Sequence, residues 1–333
     1  MLAALLAGPK PIEEKPLIVS DVSIPPPLSR EIRVRVRACG ICRTDLHIAE
    51  GDIPLPKLPV IPGHQVVGVV EGRGREARRF REGDRVGVAW LRLSCGECRF
   101  CGAGAENLCE RAEFTGLHAD GGYAECCSVD ERFAYPLPHG IPDREAAPLL
   151  CAGVIGYRAL RLSGLRSGER LGLFGFGASA HIVIQIARYW HCEVYVFTRA
   201  AGHQRHALEL GAAWVGRAEE SPPEPVQSAI LFAPAGRLVP DALRVLDRGG
   251  SLTLAGITMT AIPEIDYRSL YHERKIQSVA NAARRDAEEL LALAAEIPLS
   301  AEIESFSLSQ INLALRRLKE SRIRGAGVVD MGL

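Results

Sequence analysis

The sequence has no excess of charge of either sign and no long hydrophobic run. Its 333 residues include 40 Lys and Arg and 40 Asp and Glu, so the formal net charge is zero. Such a chain has no overall field to attract nucleic acid or an anionic membrane surface, and we expect neither partner. No apolar segment approaches the roughly 20 residues that a membrane-crossing helix needs. Nucleic-acid-binding and membrane-spanning proteins are therefore disfavoured.

The sequence also shows no sign of export. The apolar start "MLAALLAG" (1–8) has no basic residues ahead of it and is followed by "KPIEEKP" (10–16), whereas a secretory signal carries a basic region before its apolar part. We interpret this start as an edge strand and expect a cytoplasmic protein. In that setting the ten cysteines indicate metal or redox chemistry more than disulfide bonds.

The length of the chain and a change in its secondary-structure pattern predict two domains. A chain of 333 residues fits about two domains of roughly 150 residues. Short β-type runs rich in glycine and proline fill the first half, whereas strands alternate with helical patterns from about Ala152, which is typical of a parallel sheet. The fold class is therefore α/β, with a β-rich domain and a Rossmann doubly wound parallel-sheet domain. The predicted strands of the latter are 170–176, 193–198, 229–233, 251–256 and 275–280, with helices at 178–190 and 238–247.

The strongest local pattern is "CGECRFCGAGAENLC", which spaces four cysteines as C-x2-C-x2-C-x7-C. Four thiolates can close a tetrahedral shell around zinc, and a closed shell is typical of a structural site. An iron–sulfur cluster is the rival, but in the ferredoxin pattern the fourth cysteine follows after three residues and precedes proline. Here Glu110 follows instead, so zinc is favoured. The predicted ligands are Cys95, Cys98, Cys101 and Cys109.

The segment "GFGASA" predicts a dinucleotide site. Gly175, Gly177 and Ala180 follow an apolar strand and precede a helix, so the backbone can approach a pyrophosphate at the helix N-terminus. An NAD site usually carries an acidic residue about 20 residues further on. Thr198 and Arg199 stand there instead, and a hydroxyl with a guanidinium suits a 2′-phosphate. We therefore predict a preference for NADP, with NAD as the alternative.

A second metal site is suggested by residues that are distant in sequence. "ACGICRTDLH" (38–47) ends a strand-like run, His64 lies in "PGHQVVG", and Cys151 opens "CAGVIGY" at the domain junction. One histidine and two thiolates leave the fourth zinc position open, as a catalytic site that binds an alcohol oxygen requires.

Taken together, the motifs resemble the zinc-containing medium-chain alcohol dehydrogenase family over essentially the whole chain. The resemblance implies a GroES-like catalytic domain at 1–151, completed by 284–333, and a Rossmann domain at 152–283. It also implies that Cys42, and not Cys39, is a catalytic-zinc ligand. The motifs occur in the family's order: "GICRTDLH", "PGHQVVG", "GDRVGV", the four-cysteine segment, "DGGYAE", "CAGVIGY" and "GFGASA".

The resemblance also assigns roles within the first of these motifs. Asp45 would orient a zinc ligand, and Arg43 would reach the cofactor pyrophosphate. Thr44 would accept the proton of the substrate hydroxyl and pass it, through the nicotinamide ribose, to His47. One turn of the chain would then hold a metal ligand, its support, a phosphate anchor and both ends of a proton relay.

The chain departs from the family pattern in three places. Gln65 stands where the family usually has glutamate after the zinc histidine, which leaves more positive charge on the metal. Ile155 stands where threonine is common, which removes a nicotinamide contact. Ala326 stands where many members have a phosphate-binding arginine, and Arg322 and Arg324 are the candidates to replace it.

The implied activity is the zinc-dependent interconversion of alcohols with aldehydes or ketones, with zinc as Lewis acid and a nicotinamide as hydride acceptor. Ile53, Trp90 and Leu91 are predicted to line the substrate pocket. Ile53 replaces a bulky aromatic residue of ethanol-preferring relatives, which favours a roomier pocket. We expect two zinc ions per chain, one catalytic and one structural, and a homo-dimer or homo-tetramer.

Two other functions stay open. A polyol or sugar dehydrogenase of the same superfamily is disfavoured by Gln65 and by the apolar pocket candidates. A non-catalytic, NADPH-binding redox sensor is disfavoured because Cys42, His64, Cys151 and Thr44 are all present.

Overall fold

The computed structural model describes residues 1–297 and 299–332. The chain divides into two compact units. The first comprises Met1–Ala152 and the chain from Ala282 onwards, and the second comprises Gly153–Asn281. Among the described helices, none combines the length and the apolar character needed to cross a membrane.

The N-terminal part of the first unit is built mainly from short strands. The N-terminal strand predicted from the apolar start is present and pairs antiparallel with the next strand. The strands are β1 (Leu2–Leu6), β2 (Leu17–Asp21), β3 (Glu31–Ile41), β4 (Gln65–Arg73), β5 (Arg85–Val88), β6 (Leu91–Leu93), β7 (Glu113–Phe114), β8 (Cys126–Asp130) and β9 (Ala134–Pro136). Three short α-helices belong to the same part: α1 (Arg43–Glu50), α2 (Arg99–Gly102) and α3 (Asp143–Ala146).

The second unit is a six-stranded, fully parallel sheet. Its elements are α4 (Ala152–Ser163), β10 (Arg170–Phe174), α5 (Ala178–Tyr189), β11 (Glu193–Phe197), α6 (Ala201–Glu209), β12 (Trp214–Gly216), β13 (Val226–Leu231), α7 (Val239–Arg244), β14 (Leu246–Leu254) and β15 (Lys275–Ser278). The strand order is β12-β11-β10-β13-β14-β15, and every pairing is parallel. This is the 3-2-1-4-5-6 order of a dinucleotide-binding Rossmann sheet, so the predicted fold class is confirmed.

The apolar sequence of β10 explains its central position in this sheet. Leu171, Leu173 and Phe174 of β10 are fully buried, as expected for a strand covered on both faces.

The predicted helix at 238–247 was too long, because α7 ends at Arg244 and β14 begins at Leu246. Val245 and Leu246 continue the helical spacing but are buried where the strand begins, and periodicity alone cannot separate a short apolar strand from a helix.

The chain then returns to the first unit and completes its main sheet. The returning elements are α8 (Arg284–Glu296), β16 (Ile303–Phe306), α9 (Ile311–Lys319) and β17 (Ala326–Asp330). The sheet has the order β16-β17-β3-β4-β5-β9, with β8 also paired to β3.

Strand β3 is central to this sheet and leads into the candidate site. Ile32, Val34 and Val36 are buried and alternate with arginines, the period of a strand with one face on the core. The strand ends at Ile41, and α1 begins two residues later.

Candidate metal and cofactor sites

The local sequence fixes the turn between β3 and α1. Cys42 is the N-cap residue of α1, and its sulfur accepts a hydrogen bond from the Thr44 backbone N–H at 3.5 Å. In return, the Cys42 backbone N–H donates to Asp45 Oδ2 at 2.9 Å. These reciprocal bonds satisfy two backbone donors that a helix start leaves open. The helix start therefore holds the Cys42 sulfur and the Asp45 carboxylate in place together.

Cys42, His64 and Cys151 come together in the first unit. Their ligand atoms lie within 4.8 Å of one another. Cys42 Sγ is 3.9 Å from Cys151 Sγ, which is 3.4 Å from His64 Nε2. Donor atoms bound at about 2.0–2.3 Å in a tetrahedron lie roughly 3.5–3.8 Å apart, so the set fits zinc. Three protein donors leave one position of a tetrahedral shell for another ligand.

The buried carboxylate of Asp45 accepts four hydrogen bonds behind this cluster. Its donors are the backbone N–H of Cys42 at 2.9 Å, the backbone N–H of Gly63 at 3.2 Å, His64 Nδ1 at 3.0 Å and the Tyr123 hydroxyl at 2.9 Å. Asp45 and Tyr123 are fully buried. An ionised carboxylate only accepts hydrogen bonds, so His64 carries its proton on Nδ1 and presents Nε2 to the cysteine sulfurs. Support of this kind fixes the tautomer of a metal-binding histidine.

The electrostatics of the cluster favour the thiolate form of Cys42. A hydrogen bond from Cys151, reinforced by His64, holds the pKa of the Cys42 thiol well below its usual value. Burial acts to lower the pKa of His64, but the Asp45 carboxylate and the Cys42 sulfur together raise it to about 10. Thiolate is the form of cysteine that binds metal. The same hydrogen bond raises the pKa of the Cys151 thiol well above its usual value, so a metal ion that binds all three side chains must displace protons from Cys151 and His64.

The four cysteines between β6 and β7 form a second donor set. The sulfurs of Cys95, Cys98, Cys101 and Cys109 all lie within 4.8 Å of one another. Cys101 Sγ is 3.8 Å from Cys95 Sγ and 3.6 Å from Cys98 Sγ. Hydrogen bonds from the backbone N–H groups of Glu97 and Cys98 lower the pKa of Cys95 to about 6. This set can fill all four positions of a tetrahedral zinc ion.

The predicted relay residues and the phosphate anchor surround α1. Thr44 is buried, and its hydroxyl lies 3.6 Å from Cys42 Sγ. His47 Nδ1 lies 2.8 Å from an Asp52 carboxylate oxygen. Arg43 is exposed, and its guanidinium lies 3.5 Å from the Ser321 hydroxyl. Thr44 is therefore beside the metal cluster, and His47 lies about one turn further along α1.

The Rossmann unit presents the predicted dinucleotide residues at the ends of β10 and β11. Gly175 has a φ of +90°, and a Cβ there would lie 3.2 Å from the Ala233 backbone nitrogen, so the turn requires glycine. Gly177 is the N-cap of α5, and a Cβ there would meet no atom within 4 Å. That open space permits a phosphate to approach the backbone. Ala180 is fully buried in α5.

The residues that would face the cofactor ribose follow β11. Thr198 is buried, and its carbonyl accepts a bond from the Gln204 side chain at 2.9 Å. Arg199 is exposed and makes no hydrogen bond or ion pair within the part of the chain that the structure describes. Its guanidinium is thus available for an anionic group.

The three predicted pocket residues differ in their surroundings. Trp90 packs edge-on against the His64 ring at 4.8 Å between centroids and stacks on Phe114 at 5.0 Å. Ile53 is partly buried against the core of the unit, whereas Leu91 is only 3% exposed and belongs to that core. Trp90 is therefore the pocket candidate that lies next to the metal cluster, and burial favours a packing role for Leu91.

Sequence reasoning missed three residues around these sites. Tyr123 bonds Asp45, Asp52 contacts His47, and Phe114 stacks on Trp90. Tyr123 and Asp52 lie in motifs that are recognisable in the sequence, "DGGYAE" and "GDIPLP". Two local signals could have identified them: Tyr123 has a polar hydroxyl on an otherwise apolar side chain, and Asp52 is a carboxylate just after a helix.

Gln65 and Ala326, two of the departures from the family pattern, are both buried. Gln65 is buried and packs against Gly40, where an added Cβ would lie 2.7 Å from the Gln65 side chain. Ala326 is buried in β17. Arg324 pairs with Glu302 at 2.7 Å.

Comparison with known proteins shows the family of the chain. Residues 29–139 match the family model described as "Alcohol dehydrogenase GroES-like domain". A protein of Mycobacterium tuberculosis (strain CDC 1551 / Oshkosh), named "Probable alcohol dehydrogenase AdhA", is 47% identical over 335 residues, which cover 99% of this chain and 97% of that protein. The chain belongs to the zinc-containing medium-chain alcohol dehydrogenase family.

Two solved structures are similar over their full length. The CAD of Helicobacter pylori, solved in complex with NADP(H), is 25% identical with a TM-score of 0.89 and covers 100% of this chain and 99% of that one. A cobalt- and zinc-bound thermostable alcohol dehydrogenase from Pyrobaculum aerophilum is 26% identical with a TM-score of 0.90, and the match covers 99% of each chain.

Proposed function

We propose that this protein is a zinc-dependent alcohol dehydrogenase that transfers hydride reversibly between an alcohol and a nicotinamide dinucleotide. The observation that carries the proposal is the three-donor cluster of Cys42, His64 and Cys151, with the Thr44 hydroxyl 3.6 Å from the Cys42 sulfur. The similarity to named alcohol dehydrogenases supports the same reaction. In this proposal residues 1–151 and 284–333 form the catalytic domain, and 152–283 bind the dinucleotide.

When bound, zinc supplies a Lewis acid that polarises the alcohol oxygen, and the nicotinamide ring accepts the hydride. The protein supplies orientation and proton transfer. Asp45 holds His64 with Nε2 towards the cysteines. Thr44 would accept the hydroxyl proton and His47 would be its final acceptor, with the nicotinamide ribose of a bound cofactor supplying the hydroxyl between them. Trp90 excludes water beside His64 and forms one wall of an apolar pocket for the substrate, together with Ile53, whereas Leu91 packs in the core of the unit.

The test of this proposal is a screen of cofactor reduction over primary and secondary alcohols of graded chain length and aromaticity. We expect reduction with apolar alcohols, because the ring beside His64 is Trp90 and not a polar side chain. A preference for sugars or polyols would instead favour the polyol dehydrogenase alternative. No reduction with any alcohol, together with tight NADPH binding, would favour a redox sensor.

Two arginines of the first unit are proposed to bind the cofactor pyrophosphate. Arg43 is one of them. Its guanidinium contacts Ser321, which is the residue directly before Arg322. Arg324 is paired with Glu302 at 2.7 Å, whereas Arg322 contacts Glu320 at 3.1 Å with a side chain that is 72% exposed. We therefore favour Arg322 over Arg324 as the replacement for the arginine that is absent at Ala326.

We predict a preference for NADP that depends on Arg199. Charge-assisted bonds between a guanidinium and the 2′-phosphate contribute roughly 1.5–3 kcal/mol, or about a tenfold to hundredfold difference in affinity. Arg199→Ala should remove most of this preference and leave NAD binding nearly unchanged. Thr198→Asp should reverse it, because a carboxylate repels the phosphate and accepts a bond from the ribose hydroxyl.

Fluorescence titration of both cofactors at one fixed salt concentration measures this preference. The complex of the Helicobacter pylori relative with NADP(H) supports the expected order. Tighter binding of NAD than of NADP by the unmodified protein would contradict the role of Arg199.

We predict that a chelator removes the two zinc ions in sequence. The Cys42–His64–Cys151 set has three protein donors and the four-cysteine set has four, so the open site should lose its metal first. Activity should therefore disappear while the far-ultraviolet circular dichroism is retained. Zinc released into a colorimetric dye, measured alongside activity, tests this order; simultaneous loss of both ions with unfolding would contradict it.

The assembly and location are also proposals. We propose a cytoplasmic homo-dimer or homo-tetramer. Strand β15 lies at the end of the strand order in the second unit's sheet, and Tyr267 and Tyr271, in the segment before it, are 70% and 65% exposed. Exposed aromatic residues in the segment that leads into an edge strand support a contact with a second copy.

A further inference from the structure

Three aromatic rings form a row that begins beside the candidate metal site. Trp90 lies edge-on to the His64 ring at 4.8 Å between centroids, and Phe114 stacks on Trp90 at 5.0 Å with an interplanar angle of 12°. His118 lies edge-on to Phe114 at 5.5 Å. Trp90 and Phe114 are partly buried against the core of the first unit. The row therefore connects His118 to the pocket candidate that lies next to the metal cluster.

Two hydrogen bonds join His118 to Phe114. The backbone N–H of His118 donates to the Phe114 carbonyl at 2.9 Å, and the backbone N–H of Phe114 donates to His118 Nδ1 at 3.2 Å. A backbone N–H can only donate, so Nδ1 accepts and the neutral ring carries its proton on Nε2. The side chain of His118 thus satisfies a backbone donor of β7 and holds the Phe114 backbone in place.

The turn between these two residues packs beside the metal site. Gly116 has a φ of +76°, and a Cβ at this position would lie 2.9 Å from the backbone nitrogen of Gly63, the residue before His64. The left-handed conformation and the close approach therefore both require glycine. The backbone N–H of Thr115 donates to the Trp90 carbonyl at 2.9 Å. The turn thus fixes the Trp90 backbone, and the position of its ring depends on the stack.

The surroundings of His118 favour the neutral ring. Burial lowers the pKa of His118 below its usual value, while the Glu113 carboxylate opposes this effect and the Arg92 guanidinium adds to it. Arg92 pairs with Glu113 and with Glu31, both at 2.8 Å. A neutral ring keeps Nδ1 able to accept the bond from Phe114, whereas a protonated ring would place a second donor against the backbone N–H.

We propose that His118 is a positioning residue of the substrate pocket, which acts by holding Phe114 and, through the stack, the Trp90 ring beside the metal site. The inference rests on the proposed function. Pocket residues bind precisely when packing and hydrogen bonds behind them fix their positions. Phe114 lies one ring further from His64 than Trp90 does, so only larger alcohols reach that part of the wall. His118 therefore determines the preference for bulky apolar alcohols over ethanol.

The kinetic test compares two substitutions that separate the hydrogen bond from the ring. His118→Asn removes the ring but keeps an acceptor, because asparagine Oδ1, like histidine Nδ1, is bonded to Cγ. His118→Phe keeps a ring and removes the acceptor. Loss of one hydrogen bond typically changes binding by about three- to tenfold. We expect His118→Phe to raise the KM for bulky apolar alcohols by that factor, with kcat and the KM for ethanol nearly unchanged. His118→Asn should keep most of the affinity.

The matched control is the same substitution at an exposed histidine of the first unit, His139→Phe, which should change neither KM. Near-ultraviolet circular dichroism measures the stack without turnover. The part of the signal that Trp90→Phe removes belongs to Trp90, and we expect His118→Phe to reduce it and His118→Asn to retain it.

Two results would overturn the inference while leaving the dehydrogenase proposal intact. One is an unchanged Trp90 signal in His118→Phe, and the other is an equal rise in KM for ethanol and for bulky alcohols. An unmodified protein that oxidises no alcohol would instead refute the proposed function and, with it, the role of His118 in substrate choice.

Discussion

We expect Cys42→Ala and His64→Ala each to lower the rate of alcohol oxidation by at least about a thousandfold. Each change removes one of three donors, and loss of the Lewis acid costs several kcal/mol of transition-state stabilisation. Cofactor binding should persist, because Gly175, Gly177 and Arg199 belong to the other unit. Steady-state rates, zinc content and NADPH titration of the same preparations measure the three effects separately.

The matched control is Cys39→Ala, three residues earlier in the chain. Cys39 is fully buried, and its sulfur lies near the positions where Cβ atoms would be added at Gly63 and Gly122, at 3.0 and 2.9 Å. It is a packing residue outside both donor sets. Removing its sulfur should lower the melting temperature modestly and leave kcat near that of the unmodified protein. Near-normal turnover in Cys42→Ala, or a collapse of turnover in Cys39→Ala, would contradict the assignment of ligands.

We expect Asp45→Asn to weaken zinc binding, although the two side chains have the same shape. All four contacts of Asp45 come from donors. An asparagine must turn its NH2 group towards two of them, and a buried donor that faces a donor loses its hydrogen bond. The affinity for the first-released zinc should fall about 10- to 100-fold. Competition with a chromophoric chelator measures the change.

The control for this prediction is Tyr123→Phe, which removes only one of the four donors. Asp45 Oδ2 keeps the Cys42 backbone bond, and Oδ1 keeps the bonds from Gly63 and His64. We therefore expect a smaller loss of zinc affinity than in Asp45→Asn. If Asp45→Asn binds zinc as tightly as the unmodified protein, the carboxylate does not orient His64 in the way that the hydrogen bonds indicate.

The sequence was most informative where function depends on local spacing. The four cysteines from Cys95 to Cys109 and the glycines of "GFGASA" lie within one segment each, so their spacing alone limits their geometry. The alternation of valine and arginine in β3 likewise predicts a strand with one buried face. The helix predicted at 238–247 failed for a physical reason: apolar residues that continue a helical spacing can also be the start of a buried strand.

Contacts between distant segments could not be predicted from the residues alone. Cys42, His64 and Cys151 are more than a hundred residues apart at the extremes, and spacing alone gave only a weak indication of a site; the family resemblance selected Cys42 over Cys39. Tyr123 reaches Asp45 only because of how the strands of the first unit fold together. The Asp52–His47 contact is local, but it depends on the left-handed turn at Gly51. These contacts became visible only with the three-dimensional structure.

The most direct test of the central claim is a metal titration read by two signals at once. Zinc is removed stepwise from the purified protein, and alcohol-dependent NADP reduction is measured at each metal content. We expect two zinc ions per chain at the start, and activity that disappears with the first ion released while the second stays bound to Cys95, Cys98, Cys101 and Cys109. A protein that holds one zinc per chain on those four cysteines alone, and still oxidises alcohols at an undiminished rate, would contradict a catalytic metal at Cys42, His64 and Cys151.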